Sequence, residues 1–120
     1  MDTAEHDLET AESLFDSKKY DWCLFIGHLV IEKLLKAHFV HEHEKTPPKL
    51  RDLVRLSSFL GIEFSEDQLH LMEQINDFYL EARYPEQKLE FYKLCNKECR
   101  ENYFKQILDL FQWLKLNLKY

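Results

Sequence analysis

The sequence contains very little glycine and proline, with two glycines and three prolines in 120 residues. Two glycines cannot build the Gly-rich phosphate loops of Walker or Rossmann sites, so both classes of nucleotide site are excluded. Many tight hairpins would also need more turn residues than this chain has. With 45% apolar and 14% aromatic residues, the composition instead predicts one compact helical domain spanning residues 1–120.

Positive charge is also scarce, because 16 Lys and Arg against 22 Asp and Glu give a net charge of −6. This balance disfavours binding to duplex DNA, which normally requires a basic face. Residues 1–17 carry six acidic residues and no Lys or Arg, whereas residues 45–55 carry four cations and one acid. We interpret the second segment either as ordinary solvated surface or as a local contact for an anion or RNA.

Cysteines are few, and long apolar runs are missing. Three cysteines in a chain that can form its own core, with no visible signal peptide, predict a reduced, cytoplasmic protein. The most apolar run, from Trp22 to Ile31, covers about half of a bilayer and contains His28. We therefore expect no association with a membrane.

Hydrophobic periodicity predicts an all-α fold, an up-and-down antiparallel helical bundle of four long helices plus a short one. The predicted helices are 3–17, 22–43, 50–60, one from the capping box Ser65–Gln68 to Arg83, and 97–118. Asp21 is expected to cap the second helix, Gly61 to end the third in a left-handed conformation, and Asn96 to cap the last. Residues 86–95 show no clear period.

Two stretches then resemble HEPN domains, the higher eukaryotes and prokaryotes nucleotide-binding family. They are Glu32-Lys33-Leu34-Leu35-Lys36-Ala37 and Ala82-Arg83-Tyr84-Pro85, and weaker matches are His6-Asp7-Leu8, Tyr20-Asp21-Trp22 and Asp52-Leu53. In order and spacing the resemblance covers nearly the whole chain. It implies a helical bundle, a homodimer and pairing with a minimal nucleotidyltransferase, in a toxin–antitoxin-like or substrate-binding arrangement.

The sequence departs from the ribonuclease motif that many HEPN domains carry, an Arg followed after four to six residues by His. In that motif Arg can hold a phosphate while His transfers a proton. None of the four arginines here has a His at that spacing, so we expect no catalysis by this route. Arg51 also stands where the family usually has His, and Leu29 where Gln is common, so family ligand contacts at both positions are in question.

The candidate binding surface combines residues of the second and fourth helices. Lys33, Lys36 and Arg83 could receive a phosphate, and Tyr84 could stack on a base. Glu32 would then help to orient the site. Alternatively, Glu32 pairs with Lys36 or Arg83 as a structural bridge within the bundle.

His28 lies on an apolar helix, where a hydrogen-bonded core or interface histidine is more common than a catalytic one. We therefore predict a structural or site-orienting role for it. One group of histidines resembles a set of metal ligands. It consists of His38, His41 and His43, with Glu42 beside them. No second ligand pair appears at a recognisable spacing, and histidines also suit the negative end of a helix, so no metal and no cofactor are expected.

The sequence thus predicts a non-catalytic HEPN-domain subunit that binds a nucleotide or RNA end and pairs with a minimal nucleotidyltransferase. Two alternatives stay open. One is a ribonuclease toxin with a non-standard site, in which His28 or His70 carries the proton. The other is a protein interaction module that binds no ligand.

Overall fold

Helices form the regular structure of the residues that are described below. The computed structural model describes residues 2–83 and 96–117, and the side chains of residues 2–4, 21 and 81–83 lie outside this description. Its helices are α1 (Asp2–Asp16), α2 (Tyr20–His43), α3 (Leu53–Ser58), α4 (Glu66–Arg83) and α5 (Lys97–Asn117). The predicted all-α bundle of four long helices and a short one is confirmed. Leu118 and the segment 86–95 lie outside the described residues.

The four long helices alternate in direction. Helices α1 and α2 are joined by only three residues, which makes them antiparallel neighbours. Along α4 and α5 the contacts run in opposite order, because Phe64 packs on Trp113 and Phe78 packs on Tyr103. The up-and-down arrangement predicted from the short connections is therefore present.

Helix α2 lies at the centre of the bundle and contacts each of the other helices. It runs parallel to α5, since Tyr20 meets Glu101 while Gly27, further along α2, meets Ile107. A Cβ atom on Gly27 would lie 3.1 Å from Cδ1 of Ile107, so glycine allows the two helices to approach closely here. Apolar residues on more than one face of α2 are completely buried, including Val30 and Ile31. This central position accounts for the high apolar content of the segment.

Two of the predicted helix caps are present. The Ser65 hydroxyl accepts from the Gln68 N–H at 3.1 Å, and the Gln68 side chain accepts from the Ser65 N–H at 2.9 Å, which forms a reciprocal capping box. The Asn96 side chain accepts from the Cys99 N–H at 2.9 Å and caps α5. Both pairs are local in sequence, so their spacing was sufficient to predict them.

Two other helix boundaries differ from the sequence prediction. Helix α2 begins at Tyr20 rather than Trp22, so Asp21 lies inside the helix and the prediction that it caps α2 was wrong. The turn is tighter than expected because Lys18 adopts a left-handed conformation with φ 62°. Helix α3 begins at Leu53 rather than Leu50, because the Asp52 side chain accepts from the N–H groups of the first turn.

The predicted role of Gly61 was also wrong. Neither glycine has a positive φ, and Phe59 ends α3 in a right-handed conformation. Gly61 instead donates its N–H to the Glu42 carboxylate, with N···O distances of 3.1 and 3.3 Å. A Cβ atom at this position would lie 3.3 Å from Glu42 Oε2, so the glycine permits a close approach to α2.

The cysteines divide into two environments. Cys23 is a free thiol with 1% exposure, in the core position that its apolar neighbours predicted. Cys99 is disulfide-bonded, which differs from the expectation of fully reduced cysteines. In the described part of the chain, no helix combines the length and the apolar character needed to cross a membrane.

Candidate functional site

A buried carboxylate on α2 forms the centre of the candidate site. Glu32 is only 6% exposed, and its Oε2 accepts from Lys36 Nζ at 2.9 Å, one helical turn further along. Its Oε1 accepts from Arg51 Nη1 at 3.4 Å and lies 3.6 Å from Nδ1 of His28. We call these four residues the Glu32 cluster. The cluster joins α2 to the segment that precedes α3.

His28 is held as a neutral imidazole. Its Nε2 lies 2.7 Å from the backbone carbonyl of Arg51, and a carbonyl only accepts, so Nε2 carries the proton. The ring is completely buried and stacks on Tyr79 at a centroid distance of 4.4 Å. Burial lowers the pKa of His28 below 6.5, although the bond to Arg51 and the charge of Glu32 oppose this shift. Among the described residues, Nδ1 has no hydrogen-bond partner.

The segment before α3 is fixed by Asp52 and Asn76. Asp52 Oδ1 accepts from the Val54 N–H at 3.0 Å and from the Asn76 amide at 2.9 Å. The Asn76 side-chain oxygen accepts from the Leu53 N–H at 3.1 Å. Residues of α3 and α4 are thereby linked directly beside Arg51, whose side chain is 57% exposed.

A pocket of about 300 Å³ lies beside the Glu32 cluster. Its lining includes two members of the cluster, His28 and Arg51, and residues of α4 such as Asn76 and Tyr79. The Arg51 guanidinium carbon lies 5.8 Å from the centroid of the Tyr79 ring. The lining also includes the carboxylates of Asp52 and Asp77, which disfavour an anion, so the guanidinium, the amide and the aromatic ring are better suited to the edge and face of a base.

The predicted site residues are brought together only in part. Glu32, His28 and Lys36 lie in one cluster, whereas Lys33 pairs with Asp7 of α1. Lys33 points elsewhere because adjacent positions on a helix face different directions. Arg83 is the last residue of α4, and its side chain, like Tyr84, lies outside the described residues.

The comparison with protein families agrees with this architecture. The HEPN domain family matches residues 1–116. The chain belongs to the HEPN family. Comparisons with curated proteins and with solved structures gave no match. Membership supports a role related to nucleotides or RNA in general terms.

Two histidines near the end of α2 contact the carboxylate of Glu42 in this HEPN domain. Glu42 lies 3.1 Å from Nε2 of His38 and 3.2 Å from Nε2 of His43, and it also accepts from Gly61. His41 is exposed. Within the described ranges, no group of three or more His, Cys, Asp or Glu side chains could hold a metal ion.

Sequence reasoning missed several residues of the pocket. Arg51 was predicted only as one cation of the basic segment 45–55 and as a departure from the family pattern, and Asn76 was not singled out. Asp52 did carry a signal, because an Asp directly before an apolar run is a common N-cap. No local signal placed Asn76 opposite Asp52, since the two residues are 24 positions apart.

Proposed function

We propose that this HEPN domain is a non-catalytic subunit that binds a nucleotide or RNA end and pairs with a minimal nucleotidyltransferase. The observation that supports the proposal is the Glu32 cluster, which holds Lys36 and Arg51 together beside the pocket that Arg51 lines. The sequence also lacks the Arg–His spacing of the family's ribonucleases. Lys36 and Arg51 keep 25% and 57% of their side chains exposed, so a phosphate can reach both cations.

In this proposal Lys33, Lys36 and Arg83 contact phosphate, and Tyr84 stacks on a base. Lys33 is already paired with Asp7, but its side chain is 43% exposed. Exposed ion pairs are worth at most about 1 kcal/mol, so a phosphate can replace Asp7 as the partner of Lys33. Glu32 and His28, both buried, would orient the site without contacting the ligand.

We further propose that the domain acts as a cytoplasmic homodimer in a toxin–antitoxin-like or substrate-binding arrangement. A pocket of about 300 Å³ is at the lower limit of size for holding a small ligand, so a second protein surface would complete the site. Leu80, with 48% exposure, is a large apolar side chain of the kind that protein interfaces cover.

A tagged pull-down from the native cells tests the pairing. Proteins are identified by mass spectrometry, and bound nucleotides are extracted and analysed. We expect a small nucleotidyltransferase at comparable stoichiometry, together with bound nucleotide or RNA. Recovery of this chain alone, dimeric and free of nucleotide, contradicts the subunit proposal.

Substitution of Arg83 tests the predicted surface. Arg83→Ala is expected to weaken nucleotide or partner binding while the melting temperature stays unchanged. Arg55→Ala is the matched control, because Arg55 is an exposed arginine on α3. An equal loss of melting temperature and binding in Arg83→Ala would favour a structural bridge instead.

A rearranged ribonuclease site is the alternative, because His28 and Arg51 line the same pocket. The geometry disfavours it, since Nε2 of His28 is bonded to a carbonyl and the ring is completely buried. Cleavage of RNA without metal, abolished in His28→Gln but not in His70→Gln, would establish the enzyme. A chain that binds neither nucleotide nor RNA would instead be an interaction module.

A further inference from the structure

A second pocket, of about 360 Å³, lies between the α1–α2 turn and the start of α5. None of the residues of the Glu32 cluster lines it. Most of its lining consists of four cations and two aromatic residues, and we call it the cationic pocket. These residues are Lys18, Lys19, Lys97, Arg100, Tyr20 and Trp22.

The positive charge of this pocket contrasts with the rest of the chain. Four of the 16 Lys and Arg residues meet here in a protein with a net charge of −6. Lys97 is partly compensated, because its Nζ lies 3.8 Å from Glu101. Lys18 and Lys19 are exposed and form no ion pair with the described residues. The pocket therefore offers at least two cations to an external anion.

The lysines of the turn are held in a defined backbone conformation. Lys18 has a left-handed φ of 62°, and its N–H donates to the Phe15 carbonyl at 3.0 Å. The Lys19 N–H donates to the Leu14 carbonyl at 2.8 Å. Tyr20 follows directly, and its hydroxyl donates to Glu101 at 3.1 Å, which ties the turn to α5. The cations of the α1–α2 turn and those of α5 are therefore already close together before any ligand binds.

An aromatic ring completes the arrangement. Trp22 is 53% exposed and contacts Phe25 in an edge-to-face geometry, with centroids 5.6 Å apart. A half-exposed indole beside several cations is the combination that binds a base and its phosphate, because stacking is available to every base. Contact between the indole ring and water is unfavourable, so a ligand that covers the ring gains free energy of binding.

We propose that the cationic pocket binds a nucleoside phosphate, with Lys18 and Lys19 on the phosphate and Trp22 stacked on the base. The ligand can be a free nucleotide or the phosphorylated end of an RNA strand, which share this chemistry. The inference rests on the proposed function, binding of a nucleotide or RNA end, and adds a second binding surface, separate from the one assigned to Lys33 and Lys36.

Tryptophan fluorescence tests the proposal directly. The sequence has two tryptophans, so Trp113→Phe leaves Trp22 as the only indole reporter. AMP, ATP and a 5′-phosphorylated decauridylate strand are the probes. We expect saturable quenching of Trp22. Tightest binding of the strand identifies an RNA end as the source, and equal or tighter binding of AMP or ATP identifies a free nucleotide.

Charge-matched variants locate the site. Lys18→Ala/Lys19→Ala should weaken binding about tenfold, as expected for two exposed charge contacts. With the strand, the slope of log K against log salt should also fall by about 1.4. Lys45→Ala/Lys49→Ala removes the same charge from the connection between α2 and α3, which does not line the pocket. This control should bind as the parent does, and circular dichroism should confirm helicity in every variant.

The possible failures are distinguishable. Binding that depends on Lys45 and Lys49, or on Lys33 and Lys36, but not on Lys18 and Lys19, overturns the cationic pocket and leaves the proposed function in place. Failure of the parent to bind any probe, measured by calorimetry as well as fluorescence, overturns the cationic pocket, and the pull-down then decides the proposed function separately. Binding without quenching of Trp22 overturns the stacking role assigned here.

Discussion

The Nε2 atom of His28 donates to the backbone carbonyl of Arg51 at 2.7 Å. This bond joins the middle of α2 to the segment before α3 and determines which ring nitrogen carries the proton. The opposite nitrogen, Nδ1, lies 3.6 Å from Glu32, too far for a hydrogen bond. His28 is therefore a buried, neutral imidazole. It lies beside the carboxylate of Glu32, which binds the cations Lys36 and Arg51.

The protonation of His28 makes the stability of the fold depend on pH. Burial lowers its pKa in the folded state below the ordinary 6.5, so the unfolded chain binds the proton more tightly. The contribution of neutral His28 is complete above pH 6.5 and is lost as the pH falls below that value. One proton limits the slope to about 1.4 kcal/mol per pH unit. Urea unfolding at pH 7.5, 6.5 and 5.5 gives the free energy of unfolding at each pH and therefore measures this slope.

His28→Gln should reduce this pH dependence, whereas His70→Gln, at an exposed position, should retain it. Equal pH dependence in the parent and in His28→Gln would show that the titration of His28 is not coupled to folding.

Glu32 is expected to stabilise the bundle through its charge. Glu32→Gln keeps the shape of the side chain but leaves Lys36 and Arg51 without their carboxylate partner. We expect a loss of about 2 kcal/mol, below the value for fully buried pairs because both cations reach solvent. Urea unfolding measures the effect, and Glu63→Gln, at an exposed site, is the control.

The pair formed by Glu32 and Lys36 can be isolated with a double-mutant cycle. Lys36→Met combined with Glu32→Gln should cost less than the sum of the single changes, with a coupling of about 1 kcal/mol. Strict additivity would mean that the pair contributes nothing to stability.

Two substitutions test the role of Asn76. One removes its amide group, and the other replaces the amide with a carboxylate of nearly the same size. Asn76→Ala loses the contacts to Leu53 and Asp52 and is expected to cost about 2 kcal/mol. Asn76→Asp keeps an acceptor for the Leu53 N–H but places a second carboxylate against Asp52. Its stability should therefore fall further at pH 7 than at pH 4.5, where protonation relieves the repulsion. Thermal melts at both pH values, compared with those of the parent, measure the difference, and an equal loss of stability at pH 7 and at pH 4.5 would show that the contact with Asp52 is unimportant.

Cys23 should be chemically silent in the folded protein. Burial, with smaller contributions from Asp16 and Glu12, raises the pKa of its thiol from 9.0 to about 12. Its thiolate fraction at pH 8 therefore falls about a thousandfold. The rate of labelling by a chromogenic disulfide, measured in Cys95→Ser/Cys99→Ser, should be low in buffer and rise on unfolding in urea. Rapid labelling in buffer would show that the core around Cys23 opens readily.

Much of the fold could be predicted from the sequence because its signals are local. The period of apolar residues identified five helices, and the caps at Ser65 and Asn96 act within three residues of themselves. The few glycines and prolines pointed to a helical domain, and the motifs around Glu32 and Arg83 resembled the family that matches residues 1–116.

Tertiary structure decided the features that depend on distant residues. The start of α3 is linked to Asn76, and Gly61 meets Glu42 across 19 positions. The cationic pocket brings residues of the α1–α2 turn together with the beginning of α5. Helical periodicity indicates which face of a helix is buried, but hydrogen bonds and charge pairs between helices depend on register and packing angle. Those quantities are set only when the bundle assembles, so the sequence determined the elements and their family, and the packing determined the candidate sites.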